Sequence, residues 1–168
     1  MHEKITVVKL GGNCMDDSSL LHSFLVSFSK IEGKKLLVHG GGKLATNLGN
    51  KLRIPVQLLD GRRVTCAETL KIVTMTYAGL INKELVTKLH TLHCNAVGLS
   101  GADGNLVLSK TRNSKPFDYG FVGDPVAVDT TLLVTLLDAG FIPTIAPITH
   151  NKSGQLLNTN ADTVASCI

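Results

Sequence analysis

The sequence predicts an α/β fold: a three-layer αβα sandwich around a mainly parallel open sheet, with β-hairpins attached. Three observations predict it. Short apolar runs alternate with stretches whose apolar residues recur at helical spacing: Ile5–Leu10, then Leu20 to Ile31, then Leu36–His39. The first and third of these end in glycine clusters, Gly11-Gly12 and Gly40-Gly41-Gly42, and the second cluster opens a further helical pattern. The core must also be aliphatic, since aromatic residues make up 4% of the chain and tryptophan is absent.

Taken in order, Ile5–Leu10 reads as a buried parallel strand, because its apolar run has no polar alternation. Asp16, Asp17 and Ser18 are helix starters, and Leu20, Leu21, Phe24, Leu25, Phe28 and Ile31 then fall on one helical face until Gly33. Leu36–His39 is the second strand, followed by a helix to about Leu52. Asp60-Gly61 is a hairpin turn pair between short extended stretches. Thr65-Cys66-Ala67-Glu68 has the form of a capping box, with Thr65 as N-cap. The helical region after it runs to about His93 and bends near Gly79.

Ala96–Leu99 is the third buried strand. Leu106–Lys110 and Phe121–Val128 are the arms of a hairpin with a long, polar, proline-containing loop. Thr130–Ala139 is a helix ended by Gly140. Phe141–Ile148 is a strand whose Pro143 and Pro147 require an edge or a strand end, since proline lacks the ladder N–H. Asn151 to Gly154 is a turn, and Asn160-Ala161-Asp162 starts a last helix that has run about two turns at Ile168. No stop signal follows, and the expectation is a chain cut inside a larger fold.

With 168 residues the chain is long enough for one domain with a core, and 43% hydrophobic against 18% charged residues is ordinary for a soluble globular protein. The net charge of +4 comes from scattered lysines and arginines, with no run longer than two, so a nucleic-acid arm is not expected. No apolar run is long enough to span a membrane and no signal peptide is evident. Cys14, Cys66, Cys94 and Cys167 are far apart with no CxxC pair, which fits a reduced, cytoplasmic setting. No metal site is expected: His90, His93 and Cys94 have no fourth ligand nearby.

The glycine clusters carry the chemistry. Glycine lets backbone N–H groups approach an anion, and two such loops in tandem, one just after Lys9, point to phosphate. The second cluster is not a P-loop of the form GxxxxGK[ST], because Leu37 stands where the first glycine should and Leu44 follows Lys43. It fits the permissive dinucleotide pattern GxGxxA through Ala45, but no acidic residue ends a strand about 20 residues later.

Four stretches in order resemble the amino-acid kinase family: Val8-Lys9-Leu10-Gly11-Gly12, Val38-His39-Gly40-Gly41-Gly42, Asp60-Gly61-Arg62-Arg63-Val64-Thr65, and Leu157-Asn158-Thr159-Asn160-Ala161-Asp162. The resemblance covers the whole chain and is closest to the branch that phosphorylates N-acetyl-L-glutamate. It implies that residues 1–168 are the N-terminal, acylamino-acid-binding part, with the ATP-binding part and a second catalytic lysine beyond them.

The resemblance also implies roles. Lys9 would neutralise charge on the phosphoryl group in flight, and Gly11, Gly12 and Gly40 would offer N–H groups to phosphate oxygens. Gly41 and Gly42 would meet the substrate, Arg63 would grip its α-carboxylate, and Asn158 would contact its amino-acid end. Asp162 would orient the catalytic lysines. Asn160 reads first as a helix cap, and Arg62 as a surface residue. The implied reaction is transfer of the γ-phosphoryl of ATP, with Mg2+ carried by the nucleotide, to the side-chain carboxylate of N-acetyl-L-glutamate, a step of arginine biosynthesis. It implies a homodimer through the Cys66–His93 helices and little or no activity for residues 1–168 alone. The alternatives are an N-succinylglutamate kinase, another amino-acid or carbamate kinase, or a non-catalytic nucleotide-binding module.

Overall fold

The computed structural model describes residues 4–59 and 61–168. Its first sheet holds four parallel strands in the order β1-β2-β8-β5: β1 is Ile5–Leu10, β2 Lys34–His39, β5 Ala96–Ser100 and β8 Ile142–Ala146. Side chains alternate across β2: Leu37 joins one buried cluster, while Leu36 and Val38 join another. Both faces of the sheet are therefore covered, as its uninterrupted apolar strands require. One layer contains α2 (Ser18–Ser29), α3 (Gly42–Lys51), α4 (Ala67–Val73) and α5 (Asn82–His90), which contribute Leu25, Ala45, Val73 and Leu89. The other contains α6 (Thr131–Asp138) and α7 (Ala161–Cys167), which contribute Leu133 and Val164. The expected three-layer αβα sandwich is thus the observed architecture.

Local signals act largely as read. Asp17 caps α2, its carboxylate accepting from the N–H groups of Ser19 and Leu20 at 2.8 and 3.0 Å. The other end of α2 is closed from a distance. Buried Lys35 on β2 donates its ammonium to the carbonyls of Phe28, Ser29 and Ile31 at 2.7–3.0 Å, satisfying acceptors that a helix end leaves unpaired. A short helix α1 (Gly12–Asp16), not anticipated from the sequence, follows the first glycine pair. Between α4 and α5 the chain is π-helical over Thr74–Ile81, spanning the Gly79 region where a bend is expected. The short strands β3 (Leu58–Leu59) and β4 (Arg62–Arg63) form the expected hairpin around Gly61, whose φ is +71°. Asp60, the other turn residue, lies outside the described residues.

Three expectations need correction. The polar segment 111–120 is not a long loop. β6 (Val107–Ser114) and β7 (Phe117–Val128) pair through it, leaving Lys115 and Pro116 as the turn. Cross-strand polar contacts replace apolar alternation there: Arg112 donates to the Asp124 carboxylate through Nε and Nη2 at 3.1 and 3.0 Å and lies over the Tyr119 ring. Second, the single strand expected over 141–148 is two strands parted at Pro147; Pro143 sits at the start of interior strand β8, before the pairing with β2 begins at Thr144, so the prolines do lie at strand ends as expected. Third, Thr65 does not cap α4. Its N–H donates to the Tyr119 carbonyl and its own carbonyl accepts from Phe121, so its backbone is committed to β7. Cys66, one residue on, is the N-cap.

β6 and β7 join β9 (Ile148–His150) and β10 (Leu156–Asn158) in a small barrel of order β10-β7-β6-β9, in which β10 also pairs with β9. Pro147, between β8 and β9, links it to the carboxyl end of the main sheet. α7 then returns across β1 and β2, capped by the Asn160 carboxamide, which accepts from Thr163 N–H at 3.0 Å.

Candidate functional site

Parallel pairing sets the glycine loops side by side. Leu10 of β1 is opposite His39 of β2, so Gly11 and Gly40 leave the sheet together at its carboxyl end. That end is where open α/β sheets form their binding crevice. A cavity of about 220 Å³ lies there, and its walls include Lys9, Gly12, Gly40 to Gly42, Arg63, Asn158 and Asp162. Of the nine site residues expected from the sequence, Gly11 alone is not in its wall. A second cavity, of about 310 Å³, lies behind the same loop among Met15, Leu21, Ile81 and Leu85.

The glycines differ in what holds them. A Cβ added at Gly11, Gly12 or Gly40 would meet nothing within 4 Å, so protein packing does not require glycine at those positions. At Gly12 and Gly40, which line the cavity, the missing side chains leave open space. A Cβ at Gly41 would instead strike Ile81 and sit 2.7 Å from the Tyr77 ring. Gly41 is also the N-cap of α3, and no side chain caps that helix. The uncapped first turn leaves backbone N–H groups and a partial positive charge at the cavity wall, which suits an anion.

Arg63 is buried, at 9% exposed, and its Nη2 donates to the Gly42 carbonyl at 2.9 Å and to Thr46 Oγ1 at 2.7 Å. The guanidinium is thereby fixed against the start of α3. Tyr77 packs beside it in the cavity wall. Burial pushes the Tyr77 phenol above its ordinary pKa, and the Arg63 charge works in the opposite direction. Thr65 joins two motifs that are distant in sequence: its hydroxyl donates to the Arg63 carbonyl at 2.7 Å and accepts from Asn158 Nδ2 at 3.0 Å.

Lys9 and Asp162 meet across 153 residues of chain, Nζ to Oδ1 at 3.0 Å. Asp162 reaches Lys9 because Asn160 starts α7 at the cavity and α7 crosses β1. The pair is solvated, with Asp162 68% exposed, so its contribution to stability is small. A second exposed pair, Lys43 with Asp16 at 3.5 Å, ties α3 to α1.

His39 holds the second loop from below. It is fully buried, and its Nε2 accepts from the Asn82 carboxamide at 3.0 Å. The proton therefore sits on Nδ1, which donates to the Gly40 carbonyl at 2.9 Å. Asn82 also donates to the Thr144 carbonyl at 2.9 Å and accepts from Lys83 at 3.1 Å, so it knits α5 to the strand ends. Burial drives the His39 pKa down to about 4, and the imidazole is neutral at pH 7.

Sequence reasoning missed Tyr77 and Asn82, which lie outside the quoted motifs, and read Thr65, inside one of them, only as a helix cap. It also misplaced Arg62. Rather than lying at the surface, Arg62 is half-buried in the cavity wall, and its Nη1 is buried without a hydrogen-bond partner. Asn160 caps α7 and also lines the cavity. His90 is engaged structurally, its Nε2 hydrogen-bonded to the Ala96 carbonyl at 2.9 Å. Among the described residues no three His, Cys, Asp or Glu side chains form a metal-binding group, and no helix is long and apolar enough to cross a membrane.

The sequence profile of the amino acid kinase family matches residues 4–168. An acetylglutamate kinase of Cytophaga hutchinsonii is 53% identical over 98% of the chain and 62% of its own length. One from Bacteroides fragilis is 50% identical over 98% of the chain and 63% of its own length. Among solved structures, smu.665 from Streptococcus mutans superposes with a TM-score of 0.82 at 26% identity, over 97% of this chain and 66% of that one. The chain therefore spans less than two thirds of the curated relatives it matches.

Proposed function

The chain belongs to the amino acid kinase family, and on that premise we propose that it forms the acylamino-acid side of a kinase. The reaction is transfer of the γ-phosphoryl group of MgATP to the side-chain carboxylate of an N-acylated glutamate, N-acetyl-L-glutamate being the substrate that the relatives' names suggest. The product is an acyl phosphate and the reaction a cytoplasmic step of arginine biosynthesis. The remaining third of the relatives' length would supply most of the nucleotide contacts, so residues 1–168 alone would make no acyl phosphate.

The observation that carries this reading is the convergence of Lys9, Arg63, Asn158 and Asp162, from three separate stretches, on one cavity floored by two glycine loops. The acceptor carboxylate is already ionised at pH 7, so no general base is needed. Its oxygen attacks the γ-phosphorus, and the bond to the β,γ-bridging oxygen breaks toward ADP. The difficulty is bringing two anions together, which electrostatic preorganisation relieves. In this reading the Lys9 ammonium meets charge on the transferring group. The open space at Gly11, Gly12 and Gly40 fits the close approach of phosphate oxygens to backbone N–H groups. Arg63, fixed by Gly42 and Thr46, receives the α-carboxylate, and Asn158 the neighbouring amide. Mg2+ travels with the nucleotide and offsets phosphate charge.

The test is hydroxylamine trapping with the full-length protein, MgATP and N-acyl-L-glutamates. ATP-dependent hydroxamate is the expected result, and its absence with every acylglutamate would overturn the reading. We also propose a homodimer through the segment from α4 to α5, where Met75 and Leu80 are exposed. A monomeric mass by light scattering would count against it.

A further inference from the structure

The second glycine loop carries carbonyl oxygens as well as N–H groups, and a carbonyl turned into the cavity would repel an anion. Each of the three is drawn off. The Gly42 carbonyl accepts from Arg63 and from Thr46 Oγ1 at 2.9 and 2.8 Å, and the Gly41 carbonyl from Ala45 N–H at 3.2 Å. The Gly40 carbonyl accepts from the buried His39 ring, through Nδ1 at 2.9 Å.

That last bond depends on which ring nitrogen holds the proton, and Asn82 decides it. Asn82 is fully buried. Its Oδ1 faces the Lys83 ammonium at 3.1 Å and its Nδ2 the Thr144 carbonyl at 2.9 Å. One neighbour can only donate and the other can only accept, so the carboxamide has one orientation. Its Nδ2 therefore also donates to His39 Nε2, at 3.0 Å, which leaves the proton on Nδ1. Gly98 of β5 makes room for this arrangement, since a Cβ there would overlap Asn82 Oδ1.

The consequence falls on the next residue. The Gly40–Gly41 peptide is trans, and in a planar trans peptide the C=O and the following N–H point in opposite directions. With the Gly40 carbonyl turned onto His39, the Gly41 N–H is turned away from that ring. We infer that His39 and Asn82 are positioning residues for the transfer: through the Gly40 carbonyl they aim the Gly41 N–H at the anion in the cavity, where it meets charge that builds on the transferring group. The inference rests on the kinase reading of the site. It gives a task to two buried residues outside the cavity wall.

The experiment compares His39→Asn and His39→Gln in the full-length protein by hydroxamate formation. Asparagine keeps a donor where Nδ1 stands. Glutamine keeps a polar end where Nε2 stands, without the donor to Gly40. Both remove the same buried ring, so both should melt at lower temperature. kcat should stay within about threefold of native in His39→Asn and fall at least about tenfold in His39→Gln, with KM for MgATP little moved in either. A kcat that falls equally in both variants, or in neither, makes His39 a packing residue and overturns the inference while leaving the kinase reading intact. Nitrogen-15 NMR of the native protein reads the tautomer without any variant: a proton on Nδ1 is expected, and a proton on Nε2 overturns the inference. Absence of hydroxamate from the native protein with every acylglutamate overturns the kinase reading, and the inference with it.

Discussion

The two glycine loops leave the sheet from paired residues, Leu10 and His39, yet they are built differently. The second is clamped. Tyr77 and Ile81 crowd Gly41, His39 holds the Gly40 carbonyl, and Arg63 holds the Gly42 carbonyl. The first is open: nothing lies within 4 Å of a Cβ at Gly11 or Gly12, and its nearest charged group, Lys9, is held by a solvated ion pair. In the second loop the protein's own packing demands glycine at Gly41. In the other, packing gives no reason for it, and the reason must come from something that binds. The difference fits a division in which the second loop is a rigid seat for the acceptor and the first admits the phosphoryl group.

The largest test of this comparison is Lys9→Met in the full-length protein. Loss of a charge aimed at the transferring group should lower kcat by about 10²–10³. Thermal stability should move by less than about 0.5 kcal/mol, because the pair with Asp162 is exposed. A large drop in melting temperature would mean that the first loop, too, is held by its contacts.

The second loop should respond to pH through His39. Its folded pKa of about 4 lies below the ordinary 6.5. Between those values the unfolded chain takes up a proton that the folded chain refuses, so stability rises with pH across that window. The contribution is fully present above about 6.5 and is lost as pH falls toward 4. Its size is on the order of 3 kcal/mol for a group this buried. Denaturant unfolding at pH 7 and 4.5 measures it, and His39→Gln should flatten the difference. An equal slope in that variant would remove His39 as the cause.

The smallest effects separate the loops directly. Gly41→Ala should cost about 1–3 kcal/mol through overpacking against Tyr77 and Ile81. Gly12→Ala, the first residue of α1, should change stability by under about 0.5 kcal/mol yet lower turnover, since its methyl group enters the cavity. Equal melting temperatures for the two variants would erase the distinction.

Most of the main sheet was legible in the sequence, because β1, β2 and β5 are short apolar runs and the helices between them keep a 3.6-residue period; β1, read as buried, is an edge strand that leaves Ile5 and Val7 exposed. The lysine, arginine and glycine positions of the cavity were legible as ordered motifs. The barrel was less so. Residues 111–120 look like a loop because their strand pairing is stabilised by Arg112, Asp124 and Tyr119 from opposite strands, a pattern without apolar alternation. Thr65 reads as a helix cap by spacing alone, yet β7 captures its backbone. Arg62 and Arg63 are indistinguishable as neighbouring arginines. Their different surroundings come from Thr46, Gly42 and Tyr77, none of which is adjacent in sequence.

The sequence by itself determined the alternation of strands and helices, the two glycine loops, and the residue types able to handle anions. These are local properties: side-chain period, backbone freedom and charge. Tertiary structure alone decided that Lys9 meets Asp162, that Thr65 joins Arg63 to Asn158, that Gly41 is crowded and Gly12 is not, and that Arg62 faces inward unpaired. Each of those depends on groups brought together by strand register and helix packing, which no local period encodes.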